Sequence, residues 1–334
     1  MADRVDPWLT VIIVNYNGER FLQGALDSLA AQTEQTFDVI LVDNASTDGS
    51  LETLKTDHLP RFKLIASEQN LGFAGGNNLA AEQATTPWIA LLNPDAAALS
   101  DWVAALRAAT ETHPDVSVFA GATLRMDQPN IIDGAGDAYF GLGLPWRGGF
   151  GRPASELPEA GTCFSPCGAA ALYRRDVFLS VGGFEERYFC FCEDVDLSFR
   201  LRLQGHGCVF WPTAKAYHYG GGSTGKASDF AVRHGTRNRI WTFFRNMPPI
   251  ALIVLSPFHV LMTLALVFRA LFKGELKPTL RGLQEGVFGG QLFAGRRGIQ
   301  KSRTLSSWQI LKTMSWNPVR MLTRKPDVRP FDTH

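Results

Sequence analysis

The sequence predicts an α/β fold, built on a doubly wound, mostly parallel central sheet and followed by a helical carboxyl-terminal region. Short apolar runs alternate with helix-like stretches in the first half, and the runs are apolar throughout, which is typical of strands covered on both faces. The charge then reverses: residues 231–334 contain 17 Lys and Arg against 4 Asp and Glu, whereas residues 1–230 contain 16 against 28. We therefore expect two regions, residues 1–235 and residues 236–334.

The apolar runs and the stretches between them give the expected elements. The strands are Thr10–Asn15, Asp38–Asp43, Phe62–Ser67, Trp88–Leu92 and Val116–Gly121. The helices are Arg20–Ala31, Gly49–Thr56, Ala74–Gln83 and Asp101–His113. This alternation predicts βαβ units in one sheet. Residues 127–165 contain eight Gly and four Pro and are expected to form a long ordered excursion that could cover a substrate.

The acidic segment that begins at Glu193 fits two kinds of element. Apolar residues occupy every second position from Val195 to Leu203, as in a strand. Acids at the start, two arginines near the end and Gly205 after it favour a helix instead. We predict the helix, in which Asp196 and Arg200 form an ion pair four residues apart.

A long apolar stretch in the basic region predicts contact with a membrane. From Asn246 to Phe268, 23 residues contain no Lys, Arg, Asp or Glu, which is long enough to span a bilayer. Prolines at 248, 249 and 257 disfavour a straight span, and basic residues on both sides assign no orientation. We expect a broken helical pair that lies on an anionic membrane surface. Because the basic region also contains this apolar stretch, a membrane is a better partner for it than nucleic acid. A true span, a buried core helix and a basic face paired with the acidic region are alternatives.

Cysteine usage and the amino terminus indicate the compartment. The five cysteines are odd in number and no amino-terminal apolar segment resembles a signal peptide, so a reducing cytoplasm is expected. The spacings among Cys163, Cys167, Cys190 and Cys192 are atypical of zinc ligands. The expected location is cytoplasmic, peripheral or monotopic on the cytoplasmic leaflet of the inner membrane.

Polar residues follow the predicted strands, where open α/β sheets bind ligands. Asp95 ends the sequence Asn93-Pro94-Asp95 after the fourth strand, and a divalent cation bridged to phosphate is a common partner of such a carboxylate; a turn or a helix cap is the alternative. After the first strand, Asn15 and Tyr16 can hold a planar base, and after the second, Asp43 and Asn44 can accept from a base or ribose.

A glycine-rich run and a basic pair could bind a diphosphate. Within residues 70–78, glycines permit close approach of a ligand to the backbone, and the helix that follows offers its amino end. The candidate residues of this run are Asn70, Gly72, Gly75 and Asn78. Arg237 could neutralise diphosphate charge or form an ion pair with the acidic region. Gly220–Gly222 is expected to form a flap. The run matches neither the dinucleotide fingerprint nor the Walker pattern.

In this order, these segments resemble the family 2 inverting nucleotide-sugar glycosyltransferases with the GT-A fold, most closely their rhamnosyltransferase-like branch. The matching segments are Val14–Asn17, Val42–Ser50, Asn70–Asn78, Leu92–Asp95 and Glu193–Arg200, within residues 10 to 240. The resemblance implies that Asp95 binds Mg²⁺ or Mn²⁺ on the donor diphosphate, with Asn93 in place of the first Asp of the family's DxD element. His218 is then either a further metal ligand or a structural strand-end histidine.

The resemblance also implies the reaction. Asp194 is expected to be the general base for the acceptor hydroxyl, and Glu193 to orient the acceptor or its loop. The implied activity moves L-rhamnose from dTDP-L-rhamnose to a lipid-linked or cell-surface glycan. A UDP-hexose or UDP-N-acetylhexosamine donor is one alternative, and a catalytically inactive glycan-binding or scaffold relative is another. A sugar nucleotidyltransferase is disfavoured, because residues 15–18 lack its basic glycine-rich loop.

Overall fold

The computed structural model describes residues 6–59, 61–220 and 228–331. The strands are β1 (Leu9–Asn15), β2 (Phe37–Asp43), β3 (Phe62–Ala66), β4 (Trp88–Leu92), β5 (Ala96–Ala98), β6 (Val118–Arg125), β7 (Ile132–Ala135), β8 (Asp137–Phe140), β9 (Leu144–Arg147), β10 (Gly161–Cys163), β11 (Ala170–Arg174) and β12 (Cys208–His218). The helices are α1 (Glu19–Ala30), α2 (Gly72–Gln83), α3 (Trp102–Thr112), α4 (Arg175–Ser180), α5 (Glu193–Leu203), α6 (Asp229–Asn246), α7 (Pro249–Lys273), α8 (Leu276–Phe288), α9 (Arg296–Lys301), α10 (Ser307–Thr313) and α11 (Pro318–Leu322).

A ten-stranded mixed sheet forms the centre of the molecule: eight strands follow the order β10-β12-β6-β11-β4-β1-β2-β3, and β5 and β7 pair with β12 and β6. β1 pairs in parallel with both β2 and β4, and β12 pairs in parallel with β6, whereas β10 and β11 run in the opposite direction. The carboxyl ends of β1, β2, β4 and β12 therefore meet at one edge of the sheet. This topology confirms the predicted α/β fold with a mostly parallel sheet.

Apolar layers cover the sheet on both faces, as the continuous apolar strands predict. On one face, α1 and α3 contribute buried residues such as Leu26 and Leu106. On the other, α2, α4 and α5 contribute Ala80, Val177 and Leu197. Because both faces are dry, polar groups of the central strands lie mainly at the strand ends.

Two predicted elements differ from the structure. Residues 49–56 form successive turns rather than a helix: Gly49 has φ +81°, and Glu52 and Leu54 bond to residues three positions back. The apolar stretch forms α7, one continuous helix that includes Pro257, rather than a broken pair. The helix prediction for the acidic segment is confirmed by α5, which is buried on nearly all sides, so its alternating apolar residues all lie in the interior.

The glycine-rich excursion is ordered and carries its own strands. β7 pairs with the end of β6, and β8 and β9 form a separate antiparallel hairpin. Most of these strand residues are buried against the sheet and the carboxyl-terminal region. The excursion therefore places polar side chains next to the strand ends rather than lying over them as an irregular loop.

The carboxyl-terminal region packs against α5. α6 packs on α8, and its Asn246 hydrogen-bonds Asp196 of α5 at 2.7 Å. The expected boundary after residue 235 falls inside α6. Gly220 is described, whereas the rest of the predicted glycine flap lies outside the described residues.

Candidate active site

The ends of β1 and β2 form a connected polar corner. The side-chain amide of Asn15 donates to Asp43 Oδ1 at 2.9 Å and lies 3.1 Å from Ser46 Oγ and 3.0 Å from Ser50 Oγ. Asp43 also accepts from the Ser46 hydroxyl at 2.6 Å. Since Asn15 and Asp43 are buried, these bonds fix the carboxylate in one orientation at the sheet edge. Tyr16 follows directly with 40% of its side chain exposed, so its ring is accessible for stacking.

The glycine-rich run forms a close backbone junction beside this corner. Gly72 has φ +70°, and a Cβ there would lie 2.5 Å from the carbonyl oxygen of Phe189, so only glycine fits. Asn44 donates to the Gly72 carbonyl at 2.9 Å, and Asn70 accepts from the Gly72 N–H at 2.9 Å. These contacts hold the amino end of α2 at the sheet edge.

Two other predicted donor-binding residues are engaged within the protein. Asn78 exchanges hydrogen bonds with the backbone of Phe184, at 2.9 and 2.8 Å. Gly75 is buried in α2, where a Cβ would lie 2.9 Å from Leu71. In this structure, Asn78 ties α2 to the segment at Phe184, and Gly75 leaves room for the Leu71 side chain.

The ends of β4 and β12 bring Asn93, Asp95 and His218 together. His218 Nε2 lies 3.3 Å from Asp95 Oδ1 and 3.2 Å from Asn93 Nδ2. The backbone N–H of Tyr219 donates to the Asp95 carbonyl at 2.9 Å, and β5 pairs with the end of β12. A strand-end turn after β4 therefore brings the Asp95 side chain against the last residue of β12.

Asp133 completes this cluster, although the sequence did not single it out. It accepts from His218 Nδ1 at 2.8 Å and from Arg147 Nη1 at 2.8 and 2.9 Å. Burial opposes its ionisation, but Arg147 and His218 hold the pKa of Asp133 well below its usual range. Burial likewise disfavours the His218 imidazolium, but the hydrogen bonds with Asp133 and Asp95 raise its pKa to about 9.

The donor set at this cluster fits a divalent cation. Asp95 offers a carboxylate, His218 an imidazole and Asn93 an amide oxygen that is buried with no hydrogen-bond partner among the described residues. An orphaned acceptor beside a carboxylate and an imidazole is a suitable environment for a cation that accepts both oxygen and nitrogen ligands. A cation and a protonated His218 would compete, because only a neutral imidazole can act as a ligand.

The first turn of α5 presents Glu193 and Asp194 near the strand ends. Asp194 accepts from the Gly168 N–H at 3.1 Å and from the Val195 N–H at 2.8 Å. Burial raises the pKa of Asp194, but these two N–H groups oppose the rise. Burial and the neighbouring Asp194 raise the pKa of Glu193 well above its usual range, and its Oε2 is buried without a partner among the described residues. Of the two, Asp194 is better stabilised as a carboxylate, which favours it as the base.

A second buried carboxylate from the excursion lies beside the predicted base. Ligand atoms of Asp137, Cys167 and Asp194 all lie within 4.8 Å of one another. Burial, with Asp194 nearby, raises the pKa of Asp137 well above its usual range, which favours the protonated form of Asp137. Asp137 and Arg147 were not predicted. In the sequence, Asp133 and Asp137 could have been noticed only as acidic residues within an apolar, glycine-rich stretch.

The loop before α5 is held in a strained conformation. Phe189, Phe191 and Cys192 have φ of 66°, 67° and 63°, a region that non-glycine residues seldom adopt. Buried Asn238 on α6 donates to the carbonyls of Tyr188, Cys190 and Phe191 at 2.8 to 3.0 Å. Contacts with α6 therefore maintain the loop that precedes Glu193 and Asp194.

Arg237 supports the same loop in this structure. Its guanidinium donates to the carbonyl of Tyr188 at 2.9 Å and lies over the ring of Trp241 at 4.6 Å. Glu285 is 4.0 Å away. The contact with the acidic region is made to a backbone carbonyl rather than as the expected ion pair, since Glu285 belongs to the carboxyl-terminal region. The structure does not place it against another predicted donor-binding residue.

The family model for glycosyl transferase family 2 matches residues 10–182, which contain the β1, β2 and β4 strand ends described above. An N-acetylglucosaminyl-diphospho-decaprenol L-rhamnosyltransferase of Mycobacterium tuberculosis is 32% identical over 254 residues, or 68% of this chain and 81% of that protein. The chain belongs to glycosyl transferase family 2. Within that family it falls in the rhamnosyltransferase-like branch. The O-antigen biosynthesis protein RfbC of Myxococcus xanthus is 28% identical over 65% of this chain and 18% of that protein.

Solved structures show the same GT-A fold. The mannosyltransferase PcManGT from Pyrobaculum calidifontis, in complex with GDP-Man and Mn²⁺, has a TM-score of 0.54 at 17% identity, covering 96% of this chain and 88% of that one. GalNAc-T7 with UDP, GalNAc and Mn²⁺ has a TM-score of 0.56 at 16% identity, and the match covers 73% of this chain and 51% of that one. At these identities the likeness shows the fold, and the family match shows that the chain is a glycosyltransferase.

One described helix, α7, is long and apolar enough to cross a membrane by length and composition. Its buried residues are Ala251, His259, Thr263 and Ala270. Large apolar side chains such as Ile253 and Phe272 are exposed instead, at 76% and 77%. The residues that α7 buries fully are thus small or polar, with Leu252, Leu255 and Met262 partly buried, and many of its large apolar side chains are exposed.

Proposed function

We propose that this chain is an inverting, metal-dependent rhamnosyltransferase that moves L-rhamnose from dTDP-L-rhamnose to a lipid-linked glycan. The choice of donor and acceptor rests on the similarity to the M. tuberculosis enzyme, which extends over 81% of that protein. The polar strand ends and the acidic first turn of α5, which lie in one region of the fold, support the chemistry. The acceptor class is consistent with the exposed apolar face of α7.

The donor is bound by the corner at β1 and β2 together with the amino end of α2. Tyr16 stacks on the base, and Asp43, held by Asn15 and Ser46, accepts a hydrogen bond from the nucleoside. The positive end of the α2 dipole favours the diphosphate nearby, while the N–H groups of Gly72 and Ala74 are bonded within the protein. Asp95, with Asn93 and His218, would hold Mg²⁺ or Mn²⁺, which supplies positive charge to the leaving diphosphate.

Asp194 removes the acceptor proton. The acceptor oxygen forms its bond to the anomeric carbon as the bond from that carbon to the diphosphate breaks, and the hydroxyl proton goes to the Asp194 carboxylate. dTDP carries away the electron pair of the broken bond. Attack from the face opposite the diphosphate inverts the anomeric carbon. Glu193, whose raised pKa favours the protonated form, orients the acceptor or the loop.

The acceptor is reached at the cytoplasmic leaflet of a membrane. α7 offers exposed apolar side chains along its length, and Arg269, Lys273, Lys277 and Arg281 follow near its end. Apolar surface bordered by cationic side chains is typical of helices that bind anionic leaflets. Association of α7 with the leaflet would bring the active site to a lipid-linked substrate.

The test is transfer to a short-chain N-acetylglucosaminyl-diphospho-lipid by the full chain, with and without Mn²⁺. dTDP-L-rhamnose, UDP-glucose, UDP-N-acetylglucosamine and GDP-mannose are compared in parallel. We expect a rhamnosylated product of inverted configuration, formed from the first donor and dependent on the cation. Preference for a UDP sugar would refute the donor assignment, and neither turnover nor binding of any donor would favour an inactive glycan-binding relative.

Asp194→Asn tests the base assignment. Removing a positioned general base lowers the rate by about 10²- to 10⁴-fold, while thermal stabilisation by dTDP should persist because the donor corner is untouched. Asp176→Asn is the matched control, since Asp176 also lies in the first turn of a helix but its side chain is 71% exposed. Full transfer by Asp194→Asn would rule out this residue as the base.

A further inference from the structure

The imidazole of His218 is held between two carboxylates that come from distant parts of the chain. His218 is buried at the end of β12, and its Nε2 faces Asp95 and Asn93. Its other nitrogen, Nδ1, donates to Asp133 Oδ2 at 2.8 Å. The ring therefore presents only Nε2 to the predicted cation position, and Asp133 determines which nitrogen that is.

Asp133 is itself fixed from three directions. Thr123 on β6 donates to its Oδ2 at 3.1 Å, Arg147 on β9 donates to both oxygens, and His218 approaches from β12. The next residue is Gly134, where a Cβ would lie 2.9 Å from Thr123 Oγ1 and 3.3 Å from Arg147 Cγ. A side chain at 134 would displace two of the groups that hold Asp133. The local sequence therefore preserves the position of this carboxylate.

We propose that Asp133 is a positioning residue, which holds the His218 ring so that Nε2 faces the cation site formed with Asp95 and Asn93. This inference rests on the metal site included in the proposed function. A carboxylate on the second ring nitrogen of a ligating histidine fixes its tautomer and orientation and makes the other nitrogen a better ligand. Because Asn93 replaces a carboxylate, the site depends more on His218 than one with two aspartates would.

A purely structural role for Asp133 makes a different prediction. Asp133 also neutralises Arg147, so its removal leaves a guanidinium without its main partner. If that were its whole function, removing Arg147 as well would restore the site. If Asp133 acts through His218, the double variant Asp133→Asn/Arg147→Met stays defective. Thr123→Val offers a milder change that removes one hydrogen bond from an uncharged donor to Asp133 and leaves every charge in place.

The experiment measures Mn²⁺ binding to the full chain, by the loss of the free-ion electron paramagnetic resonance signal, with Mn²⁺ alone and with added dTDP. We expect about 10- to 100-fold weaker binding in Asp133→Asn, a smaller loss of the same sign in Thr123→Val, and no recovery in the double variant. Asp127→Asn, in an exposed ion pair with Arg125 on the same excursion, should bind Mn²⁺ like the wild type. In ¹⁵N spectra of the histidine side chains, the His218 Nδ1 resonance should shift in Asp133→Asn and remain unchanged in Asp127→Asn.

The outcomes separate this inference from the proposed function. Wild-type Mn²⁺ affinity in Asp133→Asn, or full recovery in the double variant, would overturn the positioning role while leaving rhamnosyl transfer intact. A wild-type chain that transfers rhamnose but binds no Mn²⁺ under either condition would overturn both the metal site and this inference. If Asp133→Asn fails to fold, an unchanged affinity in Thr123→Val would count against the proposal.

Discussion

Helices α5 and α7 place polar and apolar side chains in opposite environments. α5 buries Asp196, Arg200 and Arg202, and each has a partner in the interior. α7 buries His259 and Thr263 and exposes large apolar residues such as Ile253. A buried charge persists only where it is paired, and a broad exposed apolar face persists only where it meets something other than water. The difference teaches that α5 is adapted to a protein interior, whereas the exposed face of α7 suits the lipid contact proposed above.

The largest expected effect is on the free energy of unfolding and comes from a substitution in α5. Asp196 is completely buried and pairs with Arg200 at 2.8 Å and Arg245 at 3.4 Å. Asp196→Asn would leave the buried guanidinium of Arg200 without its counter-charge and Arg245 with Glu185 alone, so we expect the free energy of unfolding to fall by about 3–5 kcal/mol. Chemical denaturation measures it. Asp176→Asn, which removes a largely exposed ion pair with Arg174, should cost less than about 1 kcal/mol, and equal losses in the two variants would contradict the distinction.

For the exposed face of α7, we predict a smaller effect, on the binding of the protein to lipid vesicles. Ile253→Glu removes an exposed Ile worth about 1.5–3 kcal/mol on burial, so binding to vesicles that contain phosphatidylglycerol should weaken by at least about tenfold. The folding free energy should change little, because the side chain contacts mainly the surroundings. Leu64→Glu on the edge strand β3, also an exposed apolar residue, is the control. Undiminished vesicle binding by Ile253→Glu would refute the lipid assignment of this face.

The first turn of α5 predicts a pH dependence. Asp194 can accept a proton only as a carboxylate. Because burial raises its pKa, activity should begin to fall at a higher pH than it would with an ordinary aspartate, whose pKa is about 3.9. Below the pKa, the rate should fall about tenfold per pH unit, equivalent to about 1.4 kcal/mol. The guanidinium of Arg147 lowers the pKa of Asp194, so Arg147→Met should move the acid limb to higher pH. A pH–rate profile of both proteins measures this, and an acid limb that stays in place would contradict it.

The strand ends were predictable because they depend on local pattern. Asn15, Asp43 and Asp95 each follow an apolar run, and a parallel sheet brings such ends to one edge. Asp133 was not predictable in this way, because its contact with His218 joins residues 85 positions apart through the excursion. The false helix at residues 49–56 has a local cause: Gly49 and the bonds that Asp48 makes to Ser50 favour turns over helical continuation. Pro257 predicts a break because proline disfavours a helix interior, yet α7 is continuous there, and its His259 stacks on Phe243 of α6.

The smallest expected effect tests the polar face of α7 directly. Thr263 accepts from Arg239 Nη2 at 3.0 Å, so Thr263→Val keeps the shape but removes that acceptor from a buried guanidinium, at a cost of about 1 kcal/mol in folding free energy. The neighbouring Leu264 is 57% exposed, so Leu264→Ala should change folding free energy less, while weakening vesicle binding. Thr263→Val should lower mainly the folding free energy, and Leu264→Ala should lower mainly vesicle binding. The two adjacent positions therefore separate packing on protein from contact with lipid. A larger folding loss from Leu264→Ala than from Thr263→Val would mean that the apolar face packs on protein.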